Sequence, residues 1–98
     1  MQIKIHEAYR IIVSICDSGL IGKKFEEGDK QLDIKESFYA GEEVDEKKAV
    51  EILVDMKKED ATFNIVGKES VRTAEKSGII KKGCFDFING ISYTFSFL

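Results

Sequence analysis

Apolar and polar positions alternate near both ends of the chain and recur at helical spacing between them. Ile3 and Ile5 alternate with Gln2, Lys4 and His6, and after a turn near Glu7–Ala8 the stretch Tyr9–Cys16 is dense in β-branched residues. Ile11, Val13 and Ile15 share one face of that second strand, and Ile12, Ser14 and Cys16 share the other. An apolar Ile12 and a small Cys16 on the second face predict a strand covered on both sides. Asp17–Gly22 reads as a turn or a single helical turn. Phe25 to Ile34 gives a short strand, a turn at Glu27–Asp29 and the alternating Gln31-Leu-Asp-Ile34. Phe38 and Tyr39 precede a further turn at Ala40–Gly41.

The clearest helix runs from Asp45 to about Lys57. Ala49, Ile52, Leu53 and Met56 form its apolar stripe, Asp45 is a good N-cap, and Lys57 and Lys58 suit its C-terminal dipole. Ala61–Val66 reads as a strand, and Gly67 turns it into a shorter helix through Ser77. Gly78 followed by Ile79 is a left-handed stop with its apolar contact. Cys84–Ile88 and Ile91–Phe97 flank Asn89-Gly90, a strong hairpin signal. Phe85, Phe87, Tyr93, Phe95 and Phe97 are expected to make this hairpin aromatic on one face. The order predicts a single α+β domain over residues 1–98, with a mostly antiparallel sheet and two helices packed against it.

Composition narrows the class. No apolar run approaches the roughly 20 residues of a membrane helix, and the start of the chain lacks a signal peptide's apolar block, so a cytoplasmic protein is expected. In a reducing compartment Cys16 and Cys84 are expected as two buried thiols. The net charge of −3 argues against general nucleic-acid binding. That charge is segregated: residues 26–46 hold nine acids against Lys30 and Lys35, a net of −7, while the remainder holds nine acids against thirteen bases, a net of +4.

Catalytic and metal chemistry find no signature. Cys16, Cys84 and His6 have no ligand spacing for zinc, and no nucleophile–base set is recognisable, so no catalytic residue, metal or cofactor is expected. Asp29 and Asp33 could converge across a turn, without the pattern of a calcium loop. Two segments are candidate sites. The Gly67 junction opens a helix whose free N–H groups could seat an anion, with Asn64, Lys68 and Arg72 nearby. Lys23 and Lys24, beside Phe25, Gly28 and Tyr39, could contact a partner or stack on an RNA base.

The acidic, glycine-punctuated text CDSGLIGKKFEEGDKQLDIKESFYAGEEVDEKKAVEIL from Cys16 to Leu53, with ATFNIVGKESVRTAEKSGII from Ala61 to Ile80, resembles a small archaeal family catalogued as a domain of unknown function, number 424. The resemblance implies an archaeal cytosolic protein and brings no catalytic residues with it. The family's association with information processing favours a ribonucleoprotein role. The leading expectation is therefore a non-enzymatic binding or adaptor domain that engages a protein or ribonucleoprotein partner through Lys23–Gly41. A small-molecule or anion-binding enzyme with its site at Gly67 is the second reading, and a homodimer through the aromatic tail hairpin is the third.

Overall fold

The computed structural model describes residues 1–96; Phe97, expected in the last strand, lies outside them. In chain order the strands are β1 (Gln2–Glu7), β2 (Ile11–Cys16), β3 (Lys24–Glu27), β4 (Lys30–Asp33), β5 (Glu42–Glu43), β6 (Thr62–Val66), β7 (Asp86–Ile88) and β8 (Ile91–Ser96). The helices are α1 (Glu36–Tyr39), α2 (Glu46–Lys58) and α3 (Lys68–Lys76), with a 3₁₀ turn at Ser18–Leu20. Six strands form one sheet in the order β5-β1-β2-β6-β8-β7, and β3 and β4 form a separate hairpin. Every pairing is antiparallel except β2 with β6, which runs from Ile12 opposite Thr62 to Cys16 opposite Val66. The α+β class and the mostly antiparallel sheet are as the sequence predicts.

The sheet carries a core on each face. On one, Ile3, Val13, Ile15, Phe63 and Ile65 meet Ala49 and Leu53 of α2 and Val71 and Ala74 of α3. On the other, Cys16, Val66 and Ile88 meet Leu32, Ile34 and Tyr39 from the β3–β4 hairpin and α1. The central parallel pair is therefore buried from both sides, which explains the apolar residues on both faces of β2.

Local signals set the element ends. Asp45 caps α2 by accepting from the Lys48 N–H at 2.8 Å. After α3, the Gly78 N–H donates to the Glu75 carbonyl at 3.2 Å and the Ile79 N–H to the Ala74 carbonyl at 3.0 Å, with Gly78 at φ 78°. This is the double hydrogen bond of a Schellman stop. Asn89 and Gly90 take φ of 49° and 78°, the left-handed pair that a two-residue hairpin turn needs.

Three expectations are corrected. Residues 36–39 form α1, where only a passage into a turn was expected. Contacts from β1 and β2 hold its carbonyl end: Lys4 Nζ donates to the Ser37 carbonyl at 2.8 Å, and the Phe38 carbonyl meets His6 Nε2 and Ser14 Oγ, each at 2.9 Å. So short a helix has no period to read in sequence. The tail aromatics do not share a face. Tyr93 sits opposite Asp86 and Phe87 opposite Ser92, so Phe87 points to the α3 side of the sheet and Tyr93 and Phe95 to the other. Finally, only Cys16 is a buried thiol; Cys84 is exposed, in a turn closed by its N–H on the Lys81 carbonyl.

Burial, with the neighbouring Asp17 carboxylate, pushes the Cys16 thiol from 9.0 up to about 12. Burial, with Cys16 beside it, pushes the Tyr39 phenol from 10.0 to about 12. Both groups favour folding in the protonated form. Their stabilisation is complete below the unfolded values and is lost as pH rises through the folded ones. The melting temperature of the wild type is expected to fall between pH 9 and 12 more steeply than that of a Cys16→Ala/Tyr39→Phe variant; parallel curves would refute this assignment. With a thiol reagent at neutral pH, Cys84 alone is expected to react in the folded protein and both cysteines in denaturant. Rapid native modification of Cys16 would contradict its burial.

Candidate functional site

Asp17 follows β2 directly, and its N–H donates to the Val66 carbonyl at 3.0 Å, extending the parallel ladder by one bond. Its carboxylate then reaches the start of α3. Oδ1 accepts from the Ser70 N–H at 2.8 Å and from Ser70 Oγ at 2.7 Å, and Oδ2 accepts from the Glu69 N–H at 3.1 Å. The helix thus takes its cap from a distant strand, because Gly67, at the N-cap position, has no side chain to offer. Glycine is required there twice over. Its φ is 106°, and a Cβ would collide with the Asp17 carboxylate.

This geometry changes the meaning of the Gly67 junction. The N–H groups of Glu69 and Ser70, which an external anion would need, already serve Asp17, so an incoming anion meets a carboxylate in its place. Nor do the four residues expected there converge. Asn64 sits in mid-β6 opposite Ser14 and Phe95, on the sheet face away from α3, whereas Lys68 and Arg72 project from α3 beside the β7–β8 hairpin.

A groove runs along that side of α3 as two adjoining clefts of about 330 and 350 Å³ that share Lys68, Gly90 and Ser92. The first has Val71, Phe85 and Phe87 on its apolar walls, with Arg72 and Glu75 on the helix side. The second passes between the Gly67 helix start and Gly19–Leu20, with Ile91 opposite. Phe87 is 50% exposed and packs edge-on to Phe85 at 5.4 Å between ring centroids. The acids of the groove are already engaged: Asp17 in the cap, and Glu75, whose Oε2 accepts from the Gly83 N–H at 2.6 Å. Lys68 and Arg72 form no ion pair among the described residues.

Lys23, Lys24 and Gly28 are exposed on the β3–β4 hairpin, with Gly28 at its tip at φ 60°. Phe25 and Tyr39 do not join them as a stacking platform. Phe25 is half-buried against the second core, and Tyr39, 5% exposed, lies within it. Among the described residues no group of three or more His, Cys, Asp or Glu side chains is placed to hold a metal ion. Sequence reasoning missed Asp17, Phe85 and Phe87 as site residues. A two-residue Asn89-Gly90 turn already puts residues 87 and 93 on opposite faces, and that register was the available signal for Phe87.

Asp17→Ala is expected to lower unfolding stability by about 1–3 kcal/mol, since it removes a cap and strands the Ser70 hydroxyl. Gly67→Ala is expected to cost at least as much through strain and collision. Because Asp17→Ala vacates the space that the new Cβ needs, the double variant should lose less than the sum of the singles. Urea denaturation of all four proteins measures this; strict additivity would show that the collision is absent.

Comparison with curated proteins finds no match. Among solved structures, the crystal structure of an uncharacterized conserved protein from Methanopyrus kandleri is similar, with a TM-score of 0.87 and 18% identity over 96% of this chain and 87% of that one. At that identity the likeness is one of fold. The family described as "Protein of unknown function (DUF424)" matches residues 6–97, from the end of β1 through the aromatic tail hairpin. The cap, the groove and both cores apart from Ile3 lie within that match, and the chain belongs to this family.

Proposed function

We propose that this chain is a binding domain that docks a segment of a protein partner in the groove between α3 and the β7–β8 hairpin. The observation that carries the reading is the half-exposed Phe87 on Phe85, set in an open apolar groove beside Lys68 and Arg72, which form no ion pair among the described residues. Full burial of a Phe side chain is worth about 1.5–3 kcal/mol, so covering the exposed half of Phe87 contributes roughly 1 kcal/mol to docking before any other contact.

The groove is a better docking surface than the Lys23–Gly41 segment, whose Phe25 and Tyr39 pack in the second core and whose β3–β4 tip is crowded with acids. A ribonucleoprotein partner remains compatible with this reading, contacted through its protein component. Pairing through the β7 edge is disfavoured, because side chains already engage N–H groups along it. The Phe87 N–H donates to Asp86 Oδ1 at 2.8 Å and the Asn89 N–H to Glu27 Oε1 at 2.7 Å. The second cleft does lie beside Gly67, but with the anion donors taken it offers a small ligand little polar recognition. No helix among the described residues is long and apolar enough to cross a membrane.

The test places a photo-crosslinking amino acid at position 87, at position 26 on the hairpin, or at the fully exposed position 9, and irradiates each protein in native extract. A discrete protein adduct from position 87 is expected, suppressed by excess unlabelled wild type but not by Phe85→Ala/Phe87→Ala protein. An adduct from position 26 alone would move the docking surface to the hairpin. No adduct from either would overturn the binding reading. Phe87→Ala itself is expected to change folding stability by less than about 1 kcal/mol.

A further inference from the structure

The six-stranded sheet ends differently on its two sides. At β7 the outward N–H groups of Phe87 and Asn89 already bond Asp86 and Glu27. On the other side, β5 pairs only with Gln2 and Ile3 of the six-residue β1. Gly41, just before β5, lies so close to β1 that a Cβ there would collide with the Ile3 carbonyl and crowd Lys4. Before Gly41 the chain belongs to α1, bonded by Lys4, His6 and Ser14. From Ile5 to Glu7 the outer edge of β1 has no strand beside it among the described residues.

The register shows which groups that edge presents. In an antiparallel ladder the N–H and C=O of successive residues point alternately to the two sides. The Met1 carbonyl accepts from the Val44 N–H at 2.8 Å, on the β5 side, and the Ala8 N–H donates to the Arg10 carbonyl at 3.3 Å, on the β2 side. Odd-numbered residues of β1 therefore point outward, and Ile5 and Glu7 each present a donor and an acceptor that no strand or turn of the described chain bonds. Nothing blunts the edge: the chain has no proline, and the β1–β2 register runs unbroken from Gln2 opposite Cys16 to Glu7 opposite Ile11.

We infer that the β1 edge takes an extended peptide segment of a partner protein, which adds to the sheet as a further strand through the backbone of Ile5 and Glu7. This surface lies across the sheet from the α3 groove and does not depend on it.

The occupant follows from the spacing. Paired donors and acceptors on alternate residues match an extended polypeptide backbone, and neither a nucleic acid nor a sugar carries such a series. Ile5, 41% exposed, and the fully exposed Tyr9 in the following turn give apolar side chains of the segment a surface. Lys4, Glu7, Arg10 and Glu42 sum to zero charge, so the segment needs no net charge of its own. A second copy of this chain fits poorly, because outward residues pair only with outward residues. Centring two β1 edges on Ile5 sets Glu7 opposite Ile3, which β5 occupies, and centring them on His6 sets Ala8 opposite Lys4, beside Gly41. Centring them on Glu7 leaves Ile5 opposite the turn at Tyr9. A separate peptide can end before these obstacles.

The test begins with amide hydrogen exchange of the free protein by NMR, in which Ile5 and Glu7 should exchange faster than Lys4 and His6, whose N–H groups face β2. A phage-displayed library of random peptides is then panned on the wild type, with Glu7→Pro protein as soluble competitor. Synthetic enriched peptides should alternate β-branched or aromatic with polar residues, protect the Ile5 and Glu7 amides of the wild type, and lose about tenfold or more in affinity on Glu7→Pro. Proline removes only the outward N–H at that edge position. Glu7→Ala keeps this N–H and should bind as the wild type does; circular dichroism checks the fold of both variants, and the protection readout needs neither. Slow Ile5 and Glu7 exchange in the free protein would show a covered edge and overturn the inference, as would a failure to enrich any peptide or enriched peptides that leave those amides unprotected. Peptides that depend on Phe87 and not on the edge would overturn it while supporting the groove. Dimerisation of the free protein that Glu7→Pro abolishes would replace the peptide with a second copy of this chain.

Discussion

The Asp17 carboxylate ties the end of β2 to the start of α3, and the arrangement around the groove depends on that tie. Three donors converge on two oxygens, which satisfies the first orphan N–H groups of the helix and the buried Ser70 hydroxyl together. Because the anchor sits on a strand at the centre of the sheet, it fixes the height and direction of α3 over β6 and β8. Gly67 makes this close approach possible, and its own N–H bonds the Ser92 carbonyl at 2.7 Å. One glycine therefore joins β2, β6, β8 and α3.

With α3 held there, the helix covers the centre of the sheet but stops short of the β7 edge. Val71 and Ala74 reach the core, while Phe85 and Phe87 are left beside the helix with open space between. The other sheet face is closed differently. The β3–β4 hairpin and α1 cover it, and Lys4, His6 and Ser14 bond the α1 carbonyl end. The acids of the 26–46 segment lie on the β3–β4 hairpin, α1, the β5 edge strand and the start of α2, where Glu46 pairs with Lys76 of α3 at 3.2 Å.

The candidate site was only partly legible before the fold was known. Lys68 and Arg72 could be singled out because a strand-glycine-helix junction draws attention to the first helical turn. Their role could not, because the residue that fills the anion position lies some fifty residues earlier in the chain. Phe25 and Tyr39 beside lysines fit either a stacking surface or the core in sequence, and packing in the second core decides for the core. Phe87 was read with Tyr93 and Phe95 as one aromatic face, although the two-residue turn separates them.

The sequence by itself determined what depends on near neighbours. Asp45 caps α2, Gly78 ends α3, Asn89-Gly90 turns the last hairpin, and the apolar residues on both faces of β2 require a covering layer on each. Each is a short-range matter of dihedral preference, local hydrogen bonding or alternation. Only the tertiary structure decided that β2 lies parallel to β6, that α1 is a helix at all, and that Asp17 rather than a ligand occupies the start of α3. Those outcomes turn on contacts between segments far apart in the chain, whose free energy no local pattern encodes.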